Sequence, residues 1–240
     1  MPRYAYDLHI HTCLSPCGDS EMTPPNIANM AYVKGLDIIA VTDHNSAKNA
    51  RAVMTAARGL PLTVIPGFEL TTAEEIHMVC LFPDVDSAEA ADREIGTHMR
   101  QIPNRPDYFG DQRILDENET QKGTFPWLLP NALDLSIDAV PALCEKFGGV
   151  CFPAHIDRPT NSILAVFGML PDTPAFPTLE VRDPEKFFAD AGNGHFRAEH
   201  RILTSSDAHR LGDISEREHF LELPEASFAA LKAAILVGGR

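Results

Sequence analysis

Residues 4–11 read Tyr-Ala-Tyr-Asp-Leu-His-Ile-His (YAYDLHIH). A strand sends successive side chains to opposite faces, which puts Ala5, Asp7, His9 and His11 on one side. Tyr4, Tyr6, Leu8 and Ile10 fall on the other, an apolar face suited to packing against helices. The first face carries two imidazoles and a carboxylate, groups that are costly to bury without partners. Two imidazoles at the C-terminal end of a strand suit a divalent transition metal. With ten His in 240 residues, a His-x-His pair arises by chance roughly 0.4 times. The pair therefore needs further ligand types at other strand ends before it decides anything.

Working outward, the chain supplies them. Leu36–Thr42 (LDIIAVT) is a near-continuous apolar run, the mark of a parallel strand covered on both faces, and it ends in Asp43-His44. Leu62–Ile65 is a short strand, bent at Pro66-Gly67 and continued by Phe68-Glu69-Leu70. Ile76–Phe82 opens with His77, Val150–Ala154 delivers His155, Leu179–Val181 ends in Arg182, and Ile202–Ser205 delivers Asp207 and His209. Helices are expected between these runs. One is capped by Thr23 and stopped by Gly35, and one is capped by Ser46 and stopped by Gly59. Others cover Ala88–Ile102, Ser136–Phe147, Pro184–Ala191 and Glu225–Leu236. The alternation favours a parallel α/β architecture, and the length suits one barrel domain over residues 1–240. Residues 103–130 interrupt the rhythm. Their expected form is a β-hairpin, Gln112–Asp116 against Thr124–Leu128, acting either as a lid or as a surface excursion.

Composition narrows the partners. Lys and Arg number 20 against 34 Asp and Glu, a net charge of −14. Such a surface argues against long nucleic acid and anionic membrane, and the single Trp without a basic-aromatic stripe points the same way. An anionic small molecule stays open, since bound cations invert a local field. The chain has no membrane-length apolar run, and its first residues have no apolar signal core. Five Cys without a framework spacing fit a reducing cytoplasm.

In a parallel barrel the C-terminal strand ends share one mouth, so residues far apart in sequence meet there. The series DLHIHT, AVTDHN, GFE with a later His, PAHIDR and SSDAH resembles the PHP (polymerase and histidinol phosphatase) superfamily, in that family's motif order and over nearly the whole chain. The resemblance implies a distorted (β/α)7 TIM-like barrel with two or three divalent metals (Zn, Mn or Fe) at the mouth. It implies one metal on His9, His11, Glu69 and Asp207. A second shares Glu69 and takes His77 and His155. A third takes His44 and His209, with Cys17 where relatives often carry His or an acid. Cys17 either ligates through its thiolate or only shapes its loop. Asp43 either orients a His or water or serves the entry to a helix. Arg158 and Arg182 could grip phosphate oxygens or make surface ion pairs.

The implied activity is hydrolysis of a small phosphomonoester, such as a nucleotide or sugar phosphate, by a metal-bridging hydroxide. Glu69, Asp207, His209 and Asp43 are its catalytic candidates. Two rivals stand beside it. An amidohydrolase-type C–N hydrolase also opens with His-x-His, but this chain offers no strand-end Lys for the bridging role. A non-catalytic metal-binding module would need missing ligands or a fused partner.

Overall fold

A computed structural model of the chain describes residues 1–237. Among these, ten strands follow in chain order: β1 (Arg3–Ile10), β2 (Ile38–Val41), β3 (Thr63–Thr71), β4 (His77–Leu81), β5 (Arg113–Leu115), β6 (Gln121–Thr124), β7 (Val150–Pro153), β8 (Thr178–Glu180), β9 (Arg201–Leu203) and β10 (Phe220–Glu222). One sheet has the order β10-β1-β2-β3-β4-β7, and β8 and β9 form a separate parallel pair. Backbone bonds join the two. Ile156 N–H donates to Glu180 O at 2.9 Å on one side, and His11 N–H to Ala208 O at 3.0 Å on the other. The result is an α/β fold whose curled sheet makes a distorted TIM-like barrel.

Two apolar clusters define inside and outside. Tyr6, Leu8, Ile38, Ala40, Val79 and Phe152 meet within the curl, where Leu231 and Ile235 of the helix Phe228–Val237 join them. Ile39, Val41, Phe68 and Leu70 face outward onto helices, including Ile27 and Ala31 of the helix Pro24–Val33. Strands covered on both faces read as continuous apolar runs, which is why LDIIAVT shows no polar alternation.

In two places the backbone departs from the simple pattern, and both serve the mouth. Simple alternation in β1 would place Ala5 and Ile10 on opposite faces. Both lie in the outer cluster, while Tyr6 and Leu8 lie inside. The register to β2 slips between Asp7 and Ile10, and that bulge inverts the parity. Ile10 therefore turns to the helices, and His9 and His11 turn inward. The apolar face expected for Tyr6, Leu8 and Ile10 is thus split.

The second departure is β4. It runs antiparallel to both β3 and β7, against the parallel rhythm expected there. Thr72–Ile76 is too short for a parallel crossover, which needs about a dozen residues. The chain reverses instead, so that His77, the first residue of β4, pairs with Thr71, the last of β3.

The excursion after residue 103 pairs Arg113 with Thr124 and Leu115 with Gln121, so the hairpin is shorter and shifted from the expected 124–128 arm. The side-chain amide of Gln112 donates to the carbonyls of Phe125 and Trp127, which pins that stretch without strand pairing. Asn49 donates to Arg113 O and accepts from Leu115 N–H, and Arg113 N–H donates to Cys13 O. The hairpin is docked on the loop after β1. Neither expected N-cap bonds its own helix. The Thr23 hydroxyl donates to Glu119, and the second helix starts at Ala50 rather than after Ser46. No described helix is long and apolar enough to cross a membrane, and the five Cys are free thiols.

Gly67 in β3 faces the β4 backbone directly, with no room for a side chain. A Cβ there would lie 2.3 Å from Cys80 O, a backbone atom that cannot yield cheaply. Gly67→Ala is expected to cost about 3 kcal/mol, read as a lower urea midpoint with unchanged slope. Gly96→Ala, with nothing within 4 Å of the new Cβ, is the control and should not destabilise.

Candidate metal centre

Glu69 projects inward from β3 and is 1 % exposed. Its Oε1 lies 2.7 Å from His77 Nδ1, 3.0 Å from His155 Nε2 and 3.3 Å from His9 Nε2. Its Oε2 lies 2.9 Å from His44 Nδ1 and 3.4 Å from His11 Nε2. Asp207 Oδ1 sits 3.4 Å from His11 Nε2 and 3.6 Å from His9 Nε2. His209 stacks on His11 with ring centroids 4.1 Å apart. Five separate strand ends and the reversed start of β4 thus deliver two carboxylates and six imidazoles to one place. Two of these residues sit in left-handed backbone, His155 at φ 27° and Asp207 at φ 52°. Such conformations cost of order 1–3 kcal/mol and are held only where the surroundings enforce them.

The donor set fits divalent cations. Three groups have ligand atoms all within 4.8 Å of one another: His9, His11, Glu69 and Asp207; His44, Glu69 and His77; and His11, His44 and His209. His9 Nε2 and His11 Nε2 face each other at 3.3 Å, an arrangement that two lone pairs do not favour. His44 Nδ1, His77 Nδ1 and Glu69 Oε2 are buried without a hydrogen bond of good geometry, short as their separations are. An unpaired buried polar group costs about 1–3 kcal/mol, and a cation among them removes that cost for several at once. Imidazole with carboxylate suits Zn, Mn or Fe over Ca.

The first group coincides with the ligand set the resemblance implies. In the second, His44 takes the place of His155 within the close group, although His155 still touches Glu69. The third gains His11 and leaves out Cys17. Cys17 is exposed on its loop and lies beside His44 rather than in the cluster.

The charges follow from these distances. Burial would raise the Glu69 carboxyl, but His77, His9 and His44 hold it well below the usual range. Asp207 is likewise held low against burial, by His9 and His11. Burial disfavours imidazolium at His9, yet Glu180, Glu69 and Asp207 lift it well above its ordinary value. His11 and His44 are pushed up to about 9 against burial, His11 by Asp207 and Glu69 and His44 by Glu69 and Cys17. Burial takes His77 down to about 4 and His209 to about 3. Protons and cations compete for this nest, so metal binding must displace protons from it.

Supporting groups fix the rings. Glu180 Oε2 pairs with His9 Nδ1 at 2.9 Å and accepts the His155 N–H at 2.9 Å. Sequence reading missed this residue, although a lone acid inside the apolar stretch Leu179-Glu180-Val181 was its signal. Asp43, a catalytic candidate, does not reach the cluster. It accepts from Thr12 N–H and from the Thr12 and Ser15 hydroxyls, and Ser15 Oγ lies 2.9 Å from His11 Nδ1. Its geometry is that of a group orienting His11 through Ser15. Asp7 shares the mouth only indirectly, accepting from the Ser206 and Ser215 N–H groups and so tying down the loop of Asp207. Arg158 Nη1 lies 2.7 Å from Asp207 Oδ2, with the side chain 38 % exposed. Arg182 is exposed, and its backbone N–H donates to Asp157. His98, His195, His200 and His219 lie outside the cluster, and none is buried.

Comparison with known proteins places this geometry. The family model described as PHP domain matches residues 7–129. The 5'-3' exoribonuclease Rnm of Salmonella typhimurium is 37% identical over 112 residues, 42% of this chain and 35% of that protein. The matched stretch thus spans about a third of that relative's length. The lesion-specific endonuclease PfuEndoQ of Pyrococcus furiosus shares the fold over 98% of this chain and 56% of its own, with TM-score 0.67 and 17% identity. A metal-dependent phosphoesterase from Bifidobacterium adolescentis, itself a tentative assignment, superposes over 100% of this chain and 98% of its own, with TM-score 0.56 and 18% identity. These findings overturn the exclusion of long nucleic acid drawn from net charge. A relative with a nuclease name is similar in sequence over 112 residues and another shares the fold, and a net charge of −14 is a property of the whole surface. Cations held at the mouth would give the local field the opposite sign.

The Asp43–Ser15–His11 relay gives a direct test. Ser15→Ala removes the hydroxyl between Asp43 and His11 and is expected to weaken metal retention about 10- to 100-fold. Competition against a fluorescent zinc chelator reads this, and an unchanged affinity would remove Ser15 from the centre.

Proposed function

The chain belongs to the PHP domain family of metal-dependent hydrolases, and on that premise we propose that it cleaves a phosphodiester of a nucleic acid. A 5' end of RNA is the first substrate to try. The observation that carries this is one buried carboxylate, Glu69, faced by five imidazoles, those of His9, His11, His44, His77 and His155. A small phosphomonoester is the narrower alternative. The nuclease names of relatives favour the diester.

We assign His9, His11, Glu69 and Asp207 to one cation, and Glu69, His77 and His155, with His44 alongside, to a second. His44 and His209 serve a third, where His11 lies close and Cys17 stands at the edge. Ions held there would lower the pKa of water and neutralise phosphoryl charge. The chain's own residues do the rest. Arg158 keeps one guanidinium edge on Asp207 and has the other free for a phosphoryl oxygen. Arg182 stands at the neighbouring strand end, within the reach of a longer substrate. His209, at the open side, donates through Nδ1 to Asp207 O at 2.8 Å, and burial keeps the ring neutral, so Nε2 is left unprotonated as the atom available to the third cation. Glu180 and Ser15 keep the β1 imidazoles in place while substrate exchanges. Free thiols fit work in a reducing cytoplasm.

An amidohydrolase reading has less support, because an acid and not a strand-end Lys holds the central position. Glu69→Gln keeps the shape of the side chain and removes its charge. Hydrolysis of 5'-phosphorylated RNA and of bis-p-nitrophenyl phosphate should both fall by more than the roughly 100-fold typical of a lost supporting partner. Parallel assay of phosphate-ester cleavage and ammonia release, with metals counted per chain, decides the class. Full turnover by the Gln variant would refute the assignment.

A further inference from the structure

The excursion after residue 103 carries a feature that the hydrolytic centre does not use. Tyr108 is 75 % exposed and Phe109 40 %, and their rings meet edge to face with centroids 4.8 Å apart. The Arg105 guanidinium lies over the Tyr108 ring at 5.6 Å. Large aromatic rings side by side in water are unusual, because each exposes apolar area that folding could have buried.

The segment is fixed rather than loose. Tyr108 and Phe109 N–H groups both donate to Arg105 O at 2.9 Å, and Gly110 N–H donates to Pro106 O at 3.0 Å. The Asn104 amide donates to Gly110 O, and Asn104 N–H donates to Pro126 O. Gly110 sits at φ 102°, and a Cβ there would lie 2.0 Å from Pro16 O. That contact packs the backbone next to the aromatic pair against the loop that carries Ser15, the partner of His11, and Cys17, the neighbour of His44. The pair is therefore anchored beside a loop that reaches the mouth.

The cation at the pair is Arg105 itself: over residues 103–130, Arg105, Arg113 and Lys122 stand against Asp107, Asp111, Asp116, Glu117 and Glu119, a net of 3 − 5 = −2, so it is this placed guanidinium and not the bulk charge that suits a phosphate backbone. A cation-flanked aromatic ledge beside a phosphate-handling centre matches the chemistry of an unpaired nucleobase strand. Flat π-faces stack on aromatic rings whatever the base, and Arg neutralises the backbone.

We propose that Tyr108 and Phe109, flanked by Arg105, form a stacking platform for unpaired bases of a single-stranded polynucleotide whose phosphodiester enters the metal centre. The proposal rests on the nucleic-acid reading above and names the part of the strand that the metal centre does not hold.

The test is equilibrium binding of the full metal-loaded chain to a ten-nucleotide, phosphorothioate-linked single strand, followed by fluorescence anisotropy. A strand of equal length with abasic sugars is the comparison. The wild-type chain should prefer the base-bearing strand. Tyr108→Ala with Phe109→Ala should lose about ten-fold in affinity for it and bind the abasic strand as before. Tyr108→Trp with Phe109→Trp should retain the preference. Equal wild-type affinity for the two strands, no wild-type binding, or wild-type affinity in the double Ala variant would each overturn the platform. So would a dimer in sedimentation that the double Ala variant abolishes while strand binding stays unchanged. Cleavage of the abasic strand carrying ordinary phosphodiester linkages, which has no aromatic group to stack, tests the hydrolytic centre separately. A folded double Ala variant should cleave it at the wild-type rate, so the two ideas can fail independently.

Discussion

Glu69 is an anion enclosed by imidazoles, and the architecture of the mouth follows from keeping it there. A lone buried carboxylate is expensive, and the protein offsets that by bringing His9, His11, His44, His77 and His155 within 3.4 Å of its two oxygens. These residues come from β1, from the turn after β2, from the start of β4 and from the end of β7. The barrel must therefore close far enough to bring β1 and β7 to opposite sides of β3. Asp207 closes the ring from beyond β9, and Asp7 ties its loop back to β1.

That closure has a local energetic cost at the points where strands release their ligands. His155, Asp207 and Asn45 take left-handed backbone, which β-carbon sterics disfavour. Side-chain bonds hold these turns. The Asn45 amide donates to Leu129 O and Asn131 O, and its oxygen accepts Thr71 N–H. His155 is fixed by Glu180 through its backbone N–H. Stability is spent at the mouth and recovered in the two apolar clusters beneath and around it, where side chains such as Phe152 and Phe68 are fully buried. Deleting a phenylalanine of this kind typically costs about 3–5 kcal/mol, more than the strain at any single turn.

Electrostatics is local in the same way. The chain is acidic overall, yet its centre is built to concentrate positive charge against two carboxylates. At physiological salt the Debye length is about 8 Å, so surface acids a few helix diameters away scarcely influence a phosphate entering the mouth. The excursion is held at the edge of that centre, because Asn49, Arg113 and Gly110 bind it to the loop after β1.

The linear order of residues was enough to identify the α/β class, the strand ends bearing His9, His11, His44, Glu69, His155 and Asp207, and the likeness to one metal-dependent family. Apolar runs flanked by ligand types are local patterns, and local patterns survive in sequence. Other features needed the third dimension. The bulge in β1 that turns His9 inward depends on pairing with β2, and alternation alone places His9 on the wrong face. The reversal of β4 was implicit in the five-residue link Thr72–Ile76, but its result, His77 on the same rim as the parallel strand ends, exists only in the closed sheet. Glu180 reads as an odd acid in an apolar strand until His9, 171 positions away, is seen against it. Asp43 sits next to a ligand in sequence yet acts on another one, through Ser15. Spacing along the chain fixes which residue types are available. Which atoms come within 3 Å of one another is set by register, reversal and closure, and these are properties of the folded sheet.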